Sequence, residues 1–159
     1  MCFSGLDPTG GAGIQADIET LFVINDLMER IGFTRFTIRI NNRRLLNGLL
    51  ETLQLNDHSD QVLRCLDKLA KIGPERVAEE LKQRVGLSSQ QAAGILELAD
   101  CHGTPDTILD QLALRLDQSE IGTQGVSQLR ELFQACRVAG IPDDRIQLDP
   151  AIARGLDYY

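Results

Sequence analysis

The last residues of the chain combine a fixed cation with two phenols on one short segment, Arg154-Gly-Leu-Asp-Tyr158-Tyr159. A guanidinium can bind two oxygens of an anionic group at once, and a tyrosine hydroxyl can donate to or accept from a ring nitrogen. Gly155 allows the backbone to turn closely around a ligand. The segment therefore predicts a site for a small ligand with an anionic group and a hydrogen-bonding ring. An ordinary surface loop is the alternative interpretation.

A glycine-rich segment, residues 4–13, lies near the start of the chain. Such a segment could present backbone N–H groups to an anion. Its glycines, however, are not followed by the Lys-Ser/Thr pair that holds a triphosphate and its magnesium in a P-loop. The segment therefore has only the general character of an anion-binding loop.

The charge balance argues against general binding to nucleic acid. The 159 residues include 16 Lys and Arg against 23 Asp and Glu, a formal net charge of −7, and a negative protein lacks broad attraction to phosphates. Four arginines nevertheless follow one another without an intervening acid: Arg35, Arg39, Arg43 and Arg44. This cluster predicts either a local basic patch or a solvated strand edge and helix start.

The cysteines do not form a metal-binding pattern. Cys2, Cys65, Cys101 and Cys136 are far apart and include no Cys-x-x-Cys pair, so we expect reduced and mostly buried thiols and no metal site. No stretch has the length of a membrane span, and the N-terminus lacks the regions of a secretion signal. We therefore expect a cytoplasmic protein that does not contact a membrane.

Hydrophobic periodicity predicts a helical segment between two strands. Apolar residues recur at helical spacing over 17–31, and Gly32 is placed to end that helix. Residues 36–40 and 146–148 have the pattern of strands. Between them, from Arg43 to about Arg137, lies a series of short helices, and the last helix is predicted from about Ser127 to Ala139. This order is typical of a helical insertion between two strands of one sheet.

Glycine, proline and capping residues predict where these helices begin and end. Gly73-Pro74 should end one helix and start the next, Gly86 should end that helix, and Thr104-Pro105 should begin another. Ser88 with Gln91 predicts a capping box, and Asp60 is a candidate helix cap.

Several short motifs, in this order, resemble histidyl-tRNA synthetase, a class II aminoacyl-tRNA synthetase. They are Ala16-Asp-Ile-Glu-Thr-Leu21, Phe36-Thr-Ile-Arg-Ile-Asn-Asn-Arg43, Leu46-Asn-Gly-Leu-Leu50, Leu66-Asp-Lys-Leu69, Lys71-Ile-Gly-Pro74 and Arg154-Gly-Leu-Asp-Tyr-Tyr159. The resemblance covers about residues 16–159, and the final hexapeptide resembles the histidine-binding loop of the family.

The resemblance implies an α+β fold, with part of a class II antiparallel sheet core and a large α-helical insertion domain. It divides the chain into a glycine-rich tail outside the family (1–16), a core helix, strand and helix (17–50), the helical insertion (51–126), and a return to the core (127–159). The family's inserted domain leans on the acceptor end of the tRNA.

The resemblance also implies the ligands. Arg154 is expected to contact the α-phosphate of ATP and the histidine carboxylate as a catalytic and substrate-binding residue, and Tyr158 and Tyr159 to line the histidine pocket. ATP with magnesium, histidine and its tRNA are the implied substrates, and the full-length family forms homodimers. The chain lacks the other ATP-binding motifs of the class, so we expect an internal fragment with no aminoacylation activity alone.

Three other interpretations stay open at the level of sequence. Residues 4–17 resemble the N-terminal loop of hydroxymethylpyrimidine and phosphomethylpyrimidine kinases, which suggests a kinase or a chimeric or misassembled reading frame. A regulatory relative of the synthetase, the regulatory subunit of ATP phosphoribosyltransferase, would sense histidine without charging tRNA. A helical interaction domain with vestigial pocket residues is the third.

Overall fold

The computed structural model describes residues 13–152, apart from the side chain of Ala99, and its architecture is mostly helical with one small sheet. The elements in chain order are α1 (Gly13–Arg30), β1 (Ile38–Ile40), α2 (Arg43–Thr52), a 3₁₀ turn (Asn56–His58), α3 (Ser59–Leu66), α4 (Leu69–Ile72), α5 (Pro74–Val85), α6 (Ser89–Ala99), α7 (Pro105–Arg115), α8 (Glu120–Val138) and β2 (Ile146–Leu148). The predicted helix–strand–helices–strand order is confirmed, as is the α+β class in this coarse sense.

The first helix has two different apolar faces. Ile18, Leu21 and Met28 are buried in the core, and the chain leaves the helix at Gly32, whose φ of 90° is readily adopted only by glycine. On the exposed side Val23 and Leu27 keep 65% and 54% of their surface accessible. The predicted helix is therefore confirmed, and it also presents apolar side chains to solvent.

The two strands pair in parallel, with Ile38 opposite Ile146 and Ile40 opposite Leu148. An antiparallel sheet, as the family resemblance implied, is therefore wrong for this pair of strands. A long helical connection allows the chain to cross over and re-enter the sheet in the same direction, whereas a short hairpin would force antiparallel pairing. Because the pairing is parallel, the residues that follow β1 and β2 lie at the same edge of the sheet.

Most of the predicted helix boundaries are found where glycine, proline and capping residues placed them. Gly73, with φ 81°, separates α4 from α5, which begins at Pro74. The Ser88 hydroxyl accepts from the Gln91 N–H in a complete capping box, and the Thr104 hydroxyl caps α7. The two caps are strong local signals because the hydroxyls of Ser88 and Thr104 each accept from an N–H group that the first turn of a helix leaves without a partner.

Two of the predicted boundaries are wrong. Asp60 lies inside the first turn of α3 instead of capping it. The last helix begins at Glu120 and not near Ser127, and the Ser119 hydroxyl caps it by accepting from the Gly122 N–H at 3.0 Å. Helix α8 also continues without a break through residues 126 and 127, where the sequence placed a domain boundary. The boundaries of the domains themselves stay a prediction.

One hydrophobic cluster joins the helices to the sheet. It contains residues from α1, both strands and every helix from α2 to α8 except α4, whose Leu69 and Ile72 pack against it. Helices α2 and α8 cross very closely, because a Cβ placed on Gly48 would lie only 2.5 Å from the Gly122 Cα. Small residues at this crossing allow the two backbones to approach, which ties the start of the helical segment to its end.

The thiols of the described residues are buried. Cys65, Cys101 and Cys136 are free and buried, as predicted, whereas Cys2 lies outside the described residues. Burial raises the pKa of the Cys136 thiol to about 11, so this thiol is protonated and unreactive at neutral pH. Across residues 13–152 no helix combines the length and the apolar character that crossing a membrane requires.

Candidate functional site

The predicted ligand loop begins directly after a tight turn that follows β2. Arg154, Tyr158 and Tyr159 themselves lie outside the described residues, which end at Ile152. In the turn, the Ile152 N–H donates to the Asp149 carbonyl at 3.1 Å, and the Ala151 N–H donates to the Asp149 carboxylate at 3.2 Å. Pro150 follows Asp149, and proline fixes the backbone angle that the second position of such a turn requires. The chain is therefore held in a defined turn up to Ile152.

Asn41, the first residue after β1, binds this turn from the neighbouring strand. Its side-chain NH₂ group donates to the Pro150 carbonyl at 3.0 Å and to the Ile152 carbonyl at 2.9 Å. Its carbonyl oxygen accepts from the Asn42 N–H at 2.8 Å. The side chain is buried and both of its polar ends have partners. We call this arrangement the asparagine clamp, meaning Asn41 bound to the carbonyls of Pro150 and Ile152.

Asn42 holds the clamp on the helical part of the molecule. Its side-chain oxygen caps α2 by accepting from the Arg44 N–H at 2.9 Å, and its NH₂ group donates to Gln128 of α8 at 2.9 Å. The two adjacent asparagines therefore bind different parts of the molecule: Asn41 binds the turn after β2, and Asn42 binds helices α2 and α8. The clamp is fixed to the part of the core where α2 and α8 cross.

A polar cleft of about 610 Å³ adjoins the turn and the exposed face of the sheet. Arg39 of β1, Gln147 of β2 and Asp149 line one side. The start of α7, from Thr104 to Asp106, and Arg137 near the end of α8 also line the cleft. The alternation of buried and exposed residues in both strands places the polar side chains of Arg39 and Gln147 towards this cleft.

The cations in the cleft are paired with carboxylates. Arg39 lies 3.5 Å from Asp149, and Arg137 lies 2.6 Å from Asp106 and 3.3 Å from Asp143. The described lining has two arginines against four aspartates, so it has no net positive charge to attract an anion. In chemical terms the described lining of the cleft provides hydrogen-bonding groups next to the turn Asp149–Ile152.

The predicted cluster of arginines does not act as one basic patch. Arg39 lies in the polar cleft with Asp149, whereas Arg44 on α2 donates to Gln124 on α8. Arg43 lines a separate cleft that also contains Glu51, and Arg35 is exposed before β1. The arginine cluster is therefore closer to the alternative interpretation, a strand edge followed by a helix start.

The ion pair between Arg137 and Asp106 provides a test of the electrostatics of the cleft. The hydrogen bond from Arg137, followed by its charge, lowers the pKa of Asp106 below the ordinary value of 3.8. A lowered folded-state pKa stabilises the fold above about pH 4, and this stabilisation is lost as the pH falls through the folded-state pKa. We expect Arg137→Gln to return the pKa of Asp106 towards 3.8 in a carboxyl-carbon NMR titration.

Arg115→Gln is the matched control for this titration. It removes the same guanidinium from a different ion pair, that of Arg115 with Glu97 at 3.1 Å, and it should leave the pKa of Asp106 unchanged. A titration curve of Asp106 that does not respond to Arg137→Gln would contradict the assigned cause.

The two asparagines were not predicted as site residues from the sequence, although the sequence pattern at Asn42 contains a recognisable signal. An asparagine directly before a helical pattern is typical of a helix cap, which matches the role of Asn42. The role of Asn41 has no such local signal, because both carbonyls that it binds lie more than a hundred positions away in the chain.

Comparison with known proteins gives consistent matches over nearly the whole chain. The sequence profile of the family described as histidyl-tRNA synthetase matches residues 3–159, a range that includes the glycine-rich segment. The histidine–tRNA ligase of Rhodopirellula baltica is 42% identical over 153 residues, covering 96% of this chain and 35% of the relative. That of Ruegeria pomeroyi is 37% identical over 169 residues, covering 96% and 34%.

A solved structure agrees with these matches. The crystal structure of histidyl-tRNA synthetase from Nostoc sp. PCC 7120 superimposes with a TM-score of 0.85 at 33% identity, covering 92% of this chain and 35% of that one. The chain thus spans about a third of the length of the relatives it matches. These matches favour the synthetase interpretation over the kinase and the regulatory-subunit interpretations.

Proposed function

The chain belongs to the histidyl-tRNA synthetase family, and we propose that it forms part of an enzyme that activates histidine with ATP and transfers it to its tRNA. The observation that carries the proposal is the family match over residues 3–159. Because the relatives are about three times as long, the activity is proposed for the longer protein. The chain alone should show no histidine-dependent exchange of pyrophosphate into ATP.

Arg154 is proposed to stabilise the charge that develops during activation. The histidine carboxylate attacks the α-phosphorus of ATP, a new oxygen–phosphorus bond forms, and pyrophosphate leaves. Negative charge then builds up on the α-phosphoryl oxygens, and a guanidinium can bind two of these oxygens, or one of them and a carboxylate oxygen, at once. A lysine would provide the charge without the planar pair of donors.

Tyr158 and Tyr159 are proposed to select histidine. The imidazole of histidine has one nitrogen that donates and one that accepts, and a phenol hydroxyl can serve either. A pocket built around such bonds rejects amino acids that leave its polar groups without partners, because an unpaired buried polar group is costly.

The described residues support this proposal by their position. The turn Asp149–Ile152 directs the chain into the ligand loop from the end of β2, next to the polar cleft. Among residues 13–152 no group of three or more His, Cys, Asp or Glu side chains is placed to hold a metal ion. Magnesium is therefore proposed only as part of the ATP substrate, with no step assigned to a metal held by these residues.

Three further features of the proposal, an inserted tRNA-contacting domain, a homodimer and a cytoplasmic location, are taken from the family resemblance. The helical segment between β1 and β2 is proposed to contain the inserted domain that leans on the acceptor end of the tRNA. A homodimer and a cytoplasmic location belong to the same proposal for the longer protein.

A segment exchange tests the proposal directly. Residues 3–159 of this chain would replace the corresponding third of the Rhodopirellula baltica ligase, whose 42% identity favours correct packing. We expect the exchanged enzyme to retain histidine-dependent pyrophosphate exchange. Arg154→Ala in that enzyme should lower kcat/KM by about 100- to 1000-fold, the usual effect of removing a donor to developing charge.

Arg35→Ala is the matched control in the exchanged enzyme. It removes an arginine that is exposed in the described part of this chain, so it should change kcat/KM by less than about twofold. Equal activity of the Arg154→Ala and Arg35→Ala enzymes would contradict the role proposed for Arg154. An exchanged enzyme that folds but lacks any exchange activity would contradict the proposed function itself.

A further inference from the structure

We propose that Asn41 is a positioning residue for the ligand loop: its side chain fixes the turn Asp149–Ile152 and thereby the direction in which the chain continues towards Arg154, Tyr158 and Tyr159. The effect of this positioning on the binding of histidine rests on the function proposed above. The clamp itself is a structural claim that can be tested without any ligand.

The geometry of the clamp carries the first step of the argument. One NH₂ group donates to two carbonyls, of Pro150 and Ile152, at 3.0 and 2.9 Å. An NH₂ group has two donors, so both are used, and they hold two alternate carbonyls of one turn at fixed positions. No aliphatic or hydroxyl side chain provides two donors in one plane, so asparagine is well suited to this position.

The burial of Asn41 carries the second step. The side chain is 5% exposed, so water has little access to replace the bonds that a substitution removes. Two backbone carbonyls would then lose their partners in a buried setting, and the turn would have to open to solvate them. A surface asparagine with the same bonds would not have this effect, because water would take its place.

The parallel register carries the third step. Ile40 pairs with Leu148, and the Asp149 N–H donates to the Ile40 carbonyl at 2.9 Å. The residue after β1 is therefore held beside the turn after β2, and beyond the end of the ladder its side chain binds the carbonyls of Pro150 and Ile152. Asn41 thus connects the end of β1 to the turn Asp149–Ile152.

The composition of the chain offers a selective probe of the loop. The sequence contains no tryptophan and only two tyrosines, Tyr158 and Tyr159. Tyrosine emission from the intact chain therefore comes only from the ligand loop. Its fluorescence anisotropy reports the motion of this loop, without any label and without histidine.

The experiment compares Asn41→Ala and Asn41→Ser with the intact chain. We expect both variants to lower the tyrosine anisotropy and to speed amide hydrogen exchange at Ala151 and Ile152 by about 10- to 100-fold, as expected for lost buried hydrogen bonds. Asn41→Ser keeps a small polar side chain with a single donor, so it cannot hold both carbonyls, yet it is milder than alanine and keeps the test valid if Asn41→Ala does not fold.

Asn42→Ala is the matched control. It removes the cap of α2 and the bond to Gln128. We therefore expect it to lower the urea midpoint of unfolding about as much as the Asn41 variants do. Because it leaves both bonds of the clamp in place, it should not change the tyrosine anisotropy. Unchanged anisotropy in the folded Asn41 variants would overturn the proposal, and so would an equal decrease in Asn42→Ala.

A second measurement separates this inference from the proposed function. In the exchanged ligase described above, Asn41→Ala should raise the KM for histidine by about tenfold relative to Asn42→Ala, since a misdirected loop binds the substrate less well. A wild-type exchanged enzyme without activity would contradict the proposed function, and the anisotropy of the intact chain would still decide the role of Asn41.

Discussion

Gly48→Ala is expected to destabilise the fold by about 3 kcal/mol, because the new methyl group would overlap with the backbone of the opposite helix. The ideal Cβ position on Gly48 lies 2.5 Å from the Gly122 Cα and 2.7 Å from the Gly122 nitrogen. A flexible side chain could move away from such a contact, but a helix backbone cannot do so without separating α2 from α8. This separation would expose part of the core that joins the two ends of the helical segment.

The measurement is urea unfolding followed by circular dichroism, with thermal unfolding in parallel. For a chain of this size the expected loss corresponds to a decrease in Tm of about 6–12 °C. Gly94→Ala is the matched control, since Gly94 also lies within a helix and its ideal Cβ would meet only the Leu53 side chain at 3.4 Å. Alanine is the better helix former, so this control should stabilise the fold by about 0.5–1 kcal/mol.

Equal effects of Gly48→Ala and Gly94→Ala would contradict the close crossing of α2 and α8. The opposite signs expected for the two variants make the test robust, because the helix propensity changes identically in both. Only the tertiary surroundings of the added methyl group differ.

Leu112→Ala is the second substitution with a large expected effect, a loss of about 3–4 kcal/mol. The Leu112 side chain is fully buried in the hydrophobic cluster, on the helix α7 that packs against α8. Truncation removes the free energy of burying the leucine and leaves a cavity that the surrounding helices fill only in part. The loss would be measured as the shift in urea midpoint at a constant slope.

Leu114→Ala on the same helix provides the control. Leu114 lies two residues further along α7 and keeps 80% of its surface exposed, so its truncation should change the free energy of unfolding by no more than about 0.5 kcal/mol. A comparable loss in both variants would show that α7 is rotated relative to the arrangement described.

Much of the fold could be predicted from the sequence because its signals are local. The helical period over 17–31 and the alternation at 146–148 are set by which face of each element is buried. Capping by Ser88 and Thr104 depends on a few neighbouring residues, and Gly73 and Gly86 end helices because they adopt positive φ values. Such features can be recognised without knowing what packs on them.

The start of α8 shows where local signals fail. Gly122 and Gly125 lower the helix propensity of its first turns, and the predicted start near Ser127 lies after both of them. In the structure these glycines allow α8 to approach α2, with the added Cβ of Gly125 only 2.9 Å from Arg44. Packing between the helices outweighs the local preference, so the helix extends to Glu120.

The types and order of the elements, the family motifs and the residues proposed to bind histidine, Arg154, Tyr158 and Tyr159, can all be predicted from the amino-acid sequence. The parallel direction of β1 and β2, which places Asn41 beside the turn Asp149–Ile152, is known only from the three-dimensional arrangement. The physical reason is that strand direction depends on how the long helical connection packs, with α2 against α8. No local period in the chain encodes that distant contact.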